Sequence, residues 1–217
     1  MKWLDALLDL CFPPKCPFCR KVLPSRDILL CDQCQKELPW NPPEIQPVNF
    51  TRGCVSPLFY RDNVRESVHR YKFGGNSSYA AAYGLLMAQA VKDNWSDLPF
   101  DTVTWVPLSS RRKRRRGYDQ ALLLAEEVSR QFSLPLLPTL NKVRHTPAQS
   151  KSADTRARKI NVMEAYQVLP NTDLAGRRIL LCDDVVTTGS TLEECARMLR
   201  MAGAEEVYAV TLARGKK

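Results

Sequence analysis

Residues 179–191 read ILLCDDVVTTGST, and this stretch decides the fold. Its four apolar residues predict a buried strand, placed at 178–183, with the acid pair Asp183 and Asp184 at its end. A polar loop follows. A helix is expected over 191–201, because Thr191 and Glu194 have the spacing of a capping box. A strand that leads through a polar loop into a helix is typical of α/β domains.

The chemistry of this stretch fits a ligand that carries both hydroxyl groups and a phosphate. The two carboxylates accept hydrogen bonds from vicinal hydroxyls, and Gly189 lets the backbone approach an anion closely. N–H groups at a helix start attract negative charge. The expected phosphate-binding residues are Val185, Val186, Thr187, Thr188, Gly189, Ser190 and Thr191. The alternative, a plain loop and helix cap, leaves two acids beside an anion-binding loop without a ligand.

Strands and helices alternate along most of the chain. Further strands are expected at 55–60, 102–108 and 207–213, and further helices at 63–71, 79–91 and 119–132. Repeated units of this kind predict a parallel sheet flanked by helices. Ligands bind such sheets at the carboxyl ends of the strands, which directs attention to the loops after Leu108 and Asp183.

Four of the eight cysteines form two CxxC pairs near the N-terminus, Cys16 with Cys19 and Cys31 with Cys34. Two such turns complete a tetrahedral thiolate site, and the prolines around them leave little material for an apolar core. We therefore predict a structural zinc site, with buried or redox cysteines as the alternative. Cys11 is interpreted as a packing residue.

The expected organisation has three parts. Residues 1–40 hold an amphipathic N-terminal helix and the four-cysteine zinc module, 41–53 form a Pro-rich linker, and 54–217 form the α/β domain. No stretch is long and apolar enough to span a membrane, and no secretory signal is visible. Cytoplasmic residence is the default expectation.

The net charge of +9 is concentrated in six consecutive basic residues at 111–116. One interpretation is a pyrophosphate contact by Leu108, Ser109, Ser110, Arg111, Arg112 and Arg116. Another is contact with nucleic-acid phosphates, and a third is a solvated helix start. Residues 140–165 are rich in basic side chains and predict either a mobile lid or a plain surface loop.

The DDVVTTGST run resembles the motif of type I phosphoribosyltransferases that binds phosphoribosyl pyrophosphate (PRPP). The resemblance implies that Asp183 and Asp184 hold the ribose hydroxyls, as the catalytic acids, and that the loop at 187–191 holds the 5′-phosphate, with Mg²⁺ accompanying PRPP. Purine-salvage members carry an Asp where this chain has Thr187, so purine salvage is disfavoured.

A wider set of motifs resembles the ComF family of competence proteins and its GntX-like relatives: the paired CxxC head, YKFGGN at 71–76, VPL at 106–108 and RGYDQ at 116–120. That family usually has RGFNQ, so Asp119 departs from it. The resemblance implies a phosphoribosyltransferase-like domain and a part in DNA uptake, with single-stranded DNA and DNA-uptake proteins as partners. Two functions stay open: phosphoribosyl transfer that releases pyrophosphate, and a non-catalytic binding module on the same fold.

Overall fold

The computed structural model describes residues 13–95, 100–143 and 164–215. Its strands are β1 (Cys54–Val55), β2 (Leu58–Phe59), β3 (Thr102–Trp105), β4 (Leu140–Lys142), β5 (Tyr166–Val168), β6 (Arg178–Val186) and β7 (Glu206–Arg214). The main sheet is parallel and has the order β1-β7-β6-β3, with β2 also paired to β7. The expected parallel sheet flanked by helices, of the type I phosphoribosyltransferase kind, is confirmed.

The helices are α1 (Asp32–Glu37), α2 (Asp62–Phe73), α3 (Tyr79–Trp95), α4 (Ser110–Arg116), α5 (Gln120–Phe132) and α6 (Ser190–Met201). Helices α3 and α5 cover one face of the sheet, and α6 covers the other. A Cβ atom on Gly84 of α3 would lie 2.3 Å from the Cβ of Glu127 on α5, so these two helices pack in direct contact.

The apolar run in β6 is explained by burial on both faces. Alternate side chains of a strand point to opposite sides. Leu180 and Cys182 join the core under α3 and α5, whereas Ile179 and Leu181 join the core under α6. Near-continuous apolar strands are what a doubly covered parallel sheet requires.

Two local expectations are wrong. Strand β6 extends to Val186, so Asp183 and Asp184 lie within the strand and not at its end. The capping box is absent as well: α6 begins after Gly189 in a left-handed conformation, and Glu194 accepts hydrogen bonds from Arg197 and from a backbone N–H group. A neighbour on the same helix and a distant backbone N–H group have thus taken the side chain that the capping motif would have used.

The expected lid region is bounded by strands β4 and β5, which form a separate antiparallel pair. The basic residues between them, at 144–163, lie outside the described residues. The predicted N-terminal helix, including Cys11, also lies outside them.

The four cysteines of the two CxxC pairs converge. Their sulfur atoms all lie within 4.8 Å of one another, and three of the four residues are buried. In a tetrahedral site with Zn–S bonds of about 2.3 Å, the sulfurs lie roughly 3.8 Å apart, so only a small contraction is needed. The arrangement fits a structural zinc ion held by Cys16, Cys19, Cys31 and Cys34.

The cysteine module packs against the α/β body and shares its core. The ring of Phe18 lies 5.5 Å from that of Tyr83 on α3, and the Arg70 guanidinium donates to the carbonyls of Pro17 and Phe18 at 2.9 and 2.8 Å. The module and the body are therefore expected to unfold together, although the sequence divides them into separate parts.

The Pro-rich segment 41–53 also contacts the body. The buried Asn41 donates from its backbone and side chain to the carbonyls of Pro57 and Ser56, and Gln46 exchanges backbone hydrogen bonds with Cys54. This segment therefore lines the sheet edge along its length.

Among the helices of the described residues, none combines the length and apolarity needed to cross a membrane.

We expect one zinc ion per chain, and we expect its loss to destabilise the whole chain because module and body share a core. Cys34→Ser should lower both the zinc content measured by elemental analysis and the temperature of a single unfolding transition followed by tryptophan fluorescence. Cys11→Ser is the matched control and should keep zinc. A zinc-free, chelator-resistant protein, or a body transition unchanged in Cys34→Ser, would contradict this.

Candidate functional site

A pocket of about 200 Å³ opens at the carboxyl edge of the main sheet, where ligands of such folds bind. Strand β6 supplies Asp183, Asp184 and Val185, and the turn after β3 supplies 106–108. The remaining lining residues are Lys72, Arg112, Arg116, Gln120, Ala121, Lys142, Tyr166 and Thr191. Four cationic side chains therefore face two carboxylates.

The acid pair is held in a partly desolvated position. Asp183 accepts a hydrogen bond from the backbone N–H of Asp184 at 2.8 Å, and Asp184 accepts one from the ammonium of Lys72 at 2.6 Å. Burial, reinforced by the Asp184 carboxylate, raises the pKa of Asp183 from 3.8 to about 8. The desolvated position therefore disfavours the charged form of Asp183.

The loop predicted to bind phosphate turns into α6 through a left-handed glycine. Gly189 has φ of +79° and precedes the first residue of α6, and the Thr188 hydroxyl lies 3.0 Å from the Ser190 hydroxyl. A left-handed residue at this point favours glycine, since other side chains are strained there. The loop therefore presents hydroxyls and N–H groups at the start of a twelve-residue helix.

The Pro-rich segment reaches the same loop. A Cβ atom on Gly189 would lie 3.6 Å from a methyl group of Val48, and Asn49 donates to the carboxylate of Glu193 at 2.8 Å. The phosphate loop is therefore supported from outside the α/β domain as well as from within it.

The turn after β3 is fixed by Asp119. Its carboxylate accepts hydrogen bonds from the backbone N–H groups of Leu108 at 3.1 Å and Leu122 at 3.4 Å, the latter as the N-cap of α5. Burial raises its pKa. Asp119, which departs from the usual family motif, thus holds the turn at Leu108 in place. That turn was expected to contact pyrophosphate.

Only part of the predicted basic run faces the pocket. Arg112 and Arg116 line it, whereas Arg111 and Ser110 are exposed on α4 and the Ser109 hydroxyl is buried. The Arg116 guanidinium donates to the side-chain oxygen of Gln120 at 2.6 Å, and burial lowers its pKa.

The pocket residues that sequence reasoning missed include Lys72, Lys142 and Tyr166. The Lys142 ammonium donates to the Tyr166 hydroxyl at 2.9 Å, and burial lowers the pKa of Lys142. Lys72 belongs to the YKFGGN motif, which the sequence analysis had singled out. Because a half-buried acid pair requires a nearby cation, this lysine was a candidate partner. Lys142 and Tyr166 face each other across β4 and β5, and no sequence spacing indicates that pairing.

The raised pKa of Asp183 predicts a pH-dependent stability. Stability should fall as the pH rises from about 4, where the unfolded chain releases this proton, to about 8, where the folded state must release it too. Asp183→Asn should match the wild-type melting temperature near pH 4 and exceed it near pH 9, by roughly 2–4 °C for each kcal/mol. The exposed Asp93→Asn is the control. A difference that stays constant with pH would refute the raised pKa.

Two domain models match the chain. A phosphoribosyl transferase domain matches residues 119–217, and a double zinc ribbon domain matches residues 7–44. The zinc ribbon and the converged thiols together support the structural zinc assignment. Among solved structures, glutamine PRPP amidotransferase from B. subtilis has a TM-score of 0.42 and 24% identity, over 62% of this chain and 26% of that one.

Curated relatives align with almost the whole chain. Competence protein F of Haemophilus influenzae is 31% identical over 225 residues, which covers 92% of this chain and 96% of the relative. DNA utilization protein YhgH of Salmonella typhi is 34% identical over 212 residues, which covers 92% and 89%. The chain therefore belongs to the family of competence protein F and its DNA utilization relatives, with a double zinc ribbon and a phosphoribosyl transferase domain.

Proposed function

We propose that the pocket binds PRPP or a related ribose phosphate together with Mg²⁺. The observation that carries the proposal is a pocket that Asp183, Asp184 and Thr191 line together with four cations; the remaining residues of the loop, 187–190, lead into that pocket from the end of β6 but do not line it. The acids would accept hydrogen bonds from vicinal ribose hydroxyls, and the loop would bind the 5′-phosphate. A ribose phosphate would contact both the acid pair and the loop, because it carries hydroxyl groups and a phosphate on one molecule.

The residues present also fit a magnesium ion bound with the ligand, because Mg²⁺ prefers carboxylate and phosphate oxygens. When bound, the ion would neutralise charge on the pyrophosphate. Arg112, Arg116 and Lys142 would bind the phosphate oxygens, and Asp119 would hold the turn at 108 in place. Phosphoribosyl transfer in such a site needs positioning and charge stabilisation of the leaving group and little proton transfer.

The names of the relatives suggest a cellular role for this chain. Competence protein F and the DNA utilization proteins suggest that this chain takes part in the uptake or use of DNA. We place this role in the cytoplasm, where four free zinc-binding thiols stay reduced.

A non-catalytic nucleic-acid-binding module is the second candidate, and it rests on a separate observation. Helix α4 displays exposed arginines, and Arg115 and Arg116 lie over the half-exposed ring of Phe73 at 5.8 and 4.7 Å. Arginines beside an exposed aromatic ring suit a single strand, whose phosphates and bases use both.

The acid pair provides the test of ligand binding. Charged hydrogen bonds contribute roughly 1.5–3 kcal/mol each, so Asp184→Asn should weaken Mg²⁺·PRPP binding about ten- to a hundredfold in calorimetric titration, and Asp183→Asn should do so when the titration is run above pH 8, where that carboxyl is ionised. Asp93→Asn should bind as the wild type does. Wild-type protein that fails to bind PRPP with Mg²⁺ present, or acid variants with full affinity, would refute the assignment.

The exposed arginines provide the test of DNA binding. Changing Arg111, Arg114 and Arg115 to Gln should weaken single-stranded DNA binding equally across sequences and reduce the salt slope by roughly 2, because each lost phosphate contact removes about 0.7. Gln at Arg61, Arg65 and Lys92, on distant surfaces, is the charge-matched control. An unchanged affinity and salt slope in the α4 variant would exclude this surface.

A further inference from the structure

Lys72 gives the resting site a cation of its own. Its ammonium lies 2.6 Å from an oxygen of Asp184, and the two side chains are only 21% and 14% exposed. A pair this far out of water is worth more than a surface ion pair, and an acid left without its partner there is costly. Asp184, which is expected to face the ligand, is therefore already paired with Lys72.

The backbone that carries Lys72 is fixed from several sides. The buried Tyr71 donates its hydroxyl to the Gln120 carbonyl at 2.9 Å, and the Tyr118 hydroxyl donates to the Tyr71 carbonyl. Asn76 donates to the Gly74 carbonyl at 2.9 Å and closes the end of α2. These contacts account for the YKFGGN and RGYDQ motifs, and they leave the Lys72 side chain as the part that can move.

The charge of the pocket sets a condition on any metal. Lys72, Arg112, Arg116 and Lys142 outnumber the two acids that line it. A free divalent cation meets a lining that is already positive, with Asp184 occupied. A divalent cation bound to a polyphosphate carries net negative charge and is attracted.

We propose that Lys72 is the resident counter-ion of the acid pair, which holds Asp184 in the resting chain and transfers to the phosphates of the ligand when they enter. The site then takes up its divalent cation together with the polyphosphate and not before it. Lys72 is a ligand-binding residue in this scheme, and its transfer rests on the proposed function. A four-carbon side chain on a fixed backbone allows the exchange without any movement of α2.

The first test measures metal binding without any phosphate ligand. Mn²⁺ serves as the paramagnetic probe, read by electron paramagnetic resonance, and the thiolate site prefers zinc. Lys72→Met should bind Mn²⁺ about tenfold more tightly than the wild type, since the competing charged hydrogen bond is gone. Lys72→Arg restores the charge and should behave as the wild type does. Lys142→Met removes the same charge from the same pocket without contacting Asp184, and should gain less.

The second test adds the ligand. Lys72→Met should lose about tenfold in affinity for Mg²⁺·PRPP, and Lys72→Arg should keep most of it. Thermal unfolding of each variant verifies that it is folded. Mn²⁺ affinity in Lys72→Met no higher than in the wild type or in Lys142→Met overturns the counter-ion role. Tighter Mn²⁺ binding with undiminished PRPP affinity overturns the transfer. A wild type that binds no PRPP refutes the proposed function, and the Mn²⁺ comparison still decides the counter-ion role.

Discussion

Two adjacent carboxylates lie near the carboxyl end of β6, a strand in the middle of the main sheet, and the rest of the site is arranged around them. Strand β6 is buried on both faces, and it carries Asp183 and Asp184 to the rim with little water around them. Partly buried carboxylates require compensation by protons, cations or hydrogen bonds. The site supplies a cation and a hydrogen bond: the ammonium of Lys72 contacts Asp184, and the backbone N–H group of Asp184 donates to Asp183, whose pKa is raised by burial.

This compensation draws distant parts of the sequence together. Helix α2 ends where Lys72 reaches the acids, and the hydroxyls of Tyr71 and Tyr118 connect that end to the start of α5. Segment 41–53 follows the cysteine module and lies along the sheet edge. Its residue Val48 lies beside Gly189 in the loop 187–191. The metal module is thus in physical continuity with the site, through a shared core and through this segment.

Much of this architecture follows from local sequence. Apolar runs and βα alternation predicted the parallel sheet, and the spacing of Cys16, Cys19, Cys31 and Cys34 predicted their convergence. What depends on tertiary contact was missed. Glu194 has the spacing of a capping residue, yet it accepts a hydrogen bond from the backbone N–H group of Glu164, and the acid pair that was expected at the end of its strand lies inside β6.

The same limit applies to the cationic half of the pocket. Lys72 lies 112 residues from Asp184 in sequence, and Lys142 meets Tyr166 through an antiparallel pair that encloses the undescribed stretch. Asp119 departs from the usual family motif, and the fold buries it as a helix cap that holds Leu108. The contacts of Lys72, Lys142 and Asp119 depend on which helices and strands meet in the fold. The periodicity of the sequence does not contain that information.

A crystal structure of the chain grown with Mg²⁺ and PRPP tests the central claim most directly. The account predicts the ribose hydroxyls on Asp183 and Asp184, the 5′-phosphate at the loop 187–191, and the Lys72 ammonium moved from Asp184 to a phosphate oxygen. Electron density for the ligand elsewhere on the chain, or an acid pair still closed by Lys72 at saturating PRPP, would contradict it.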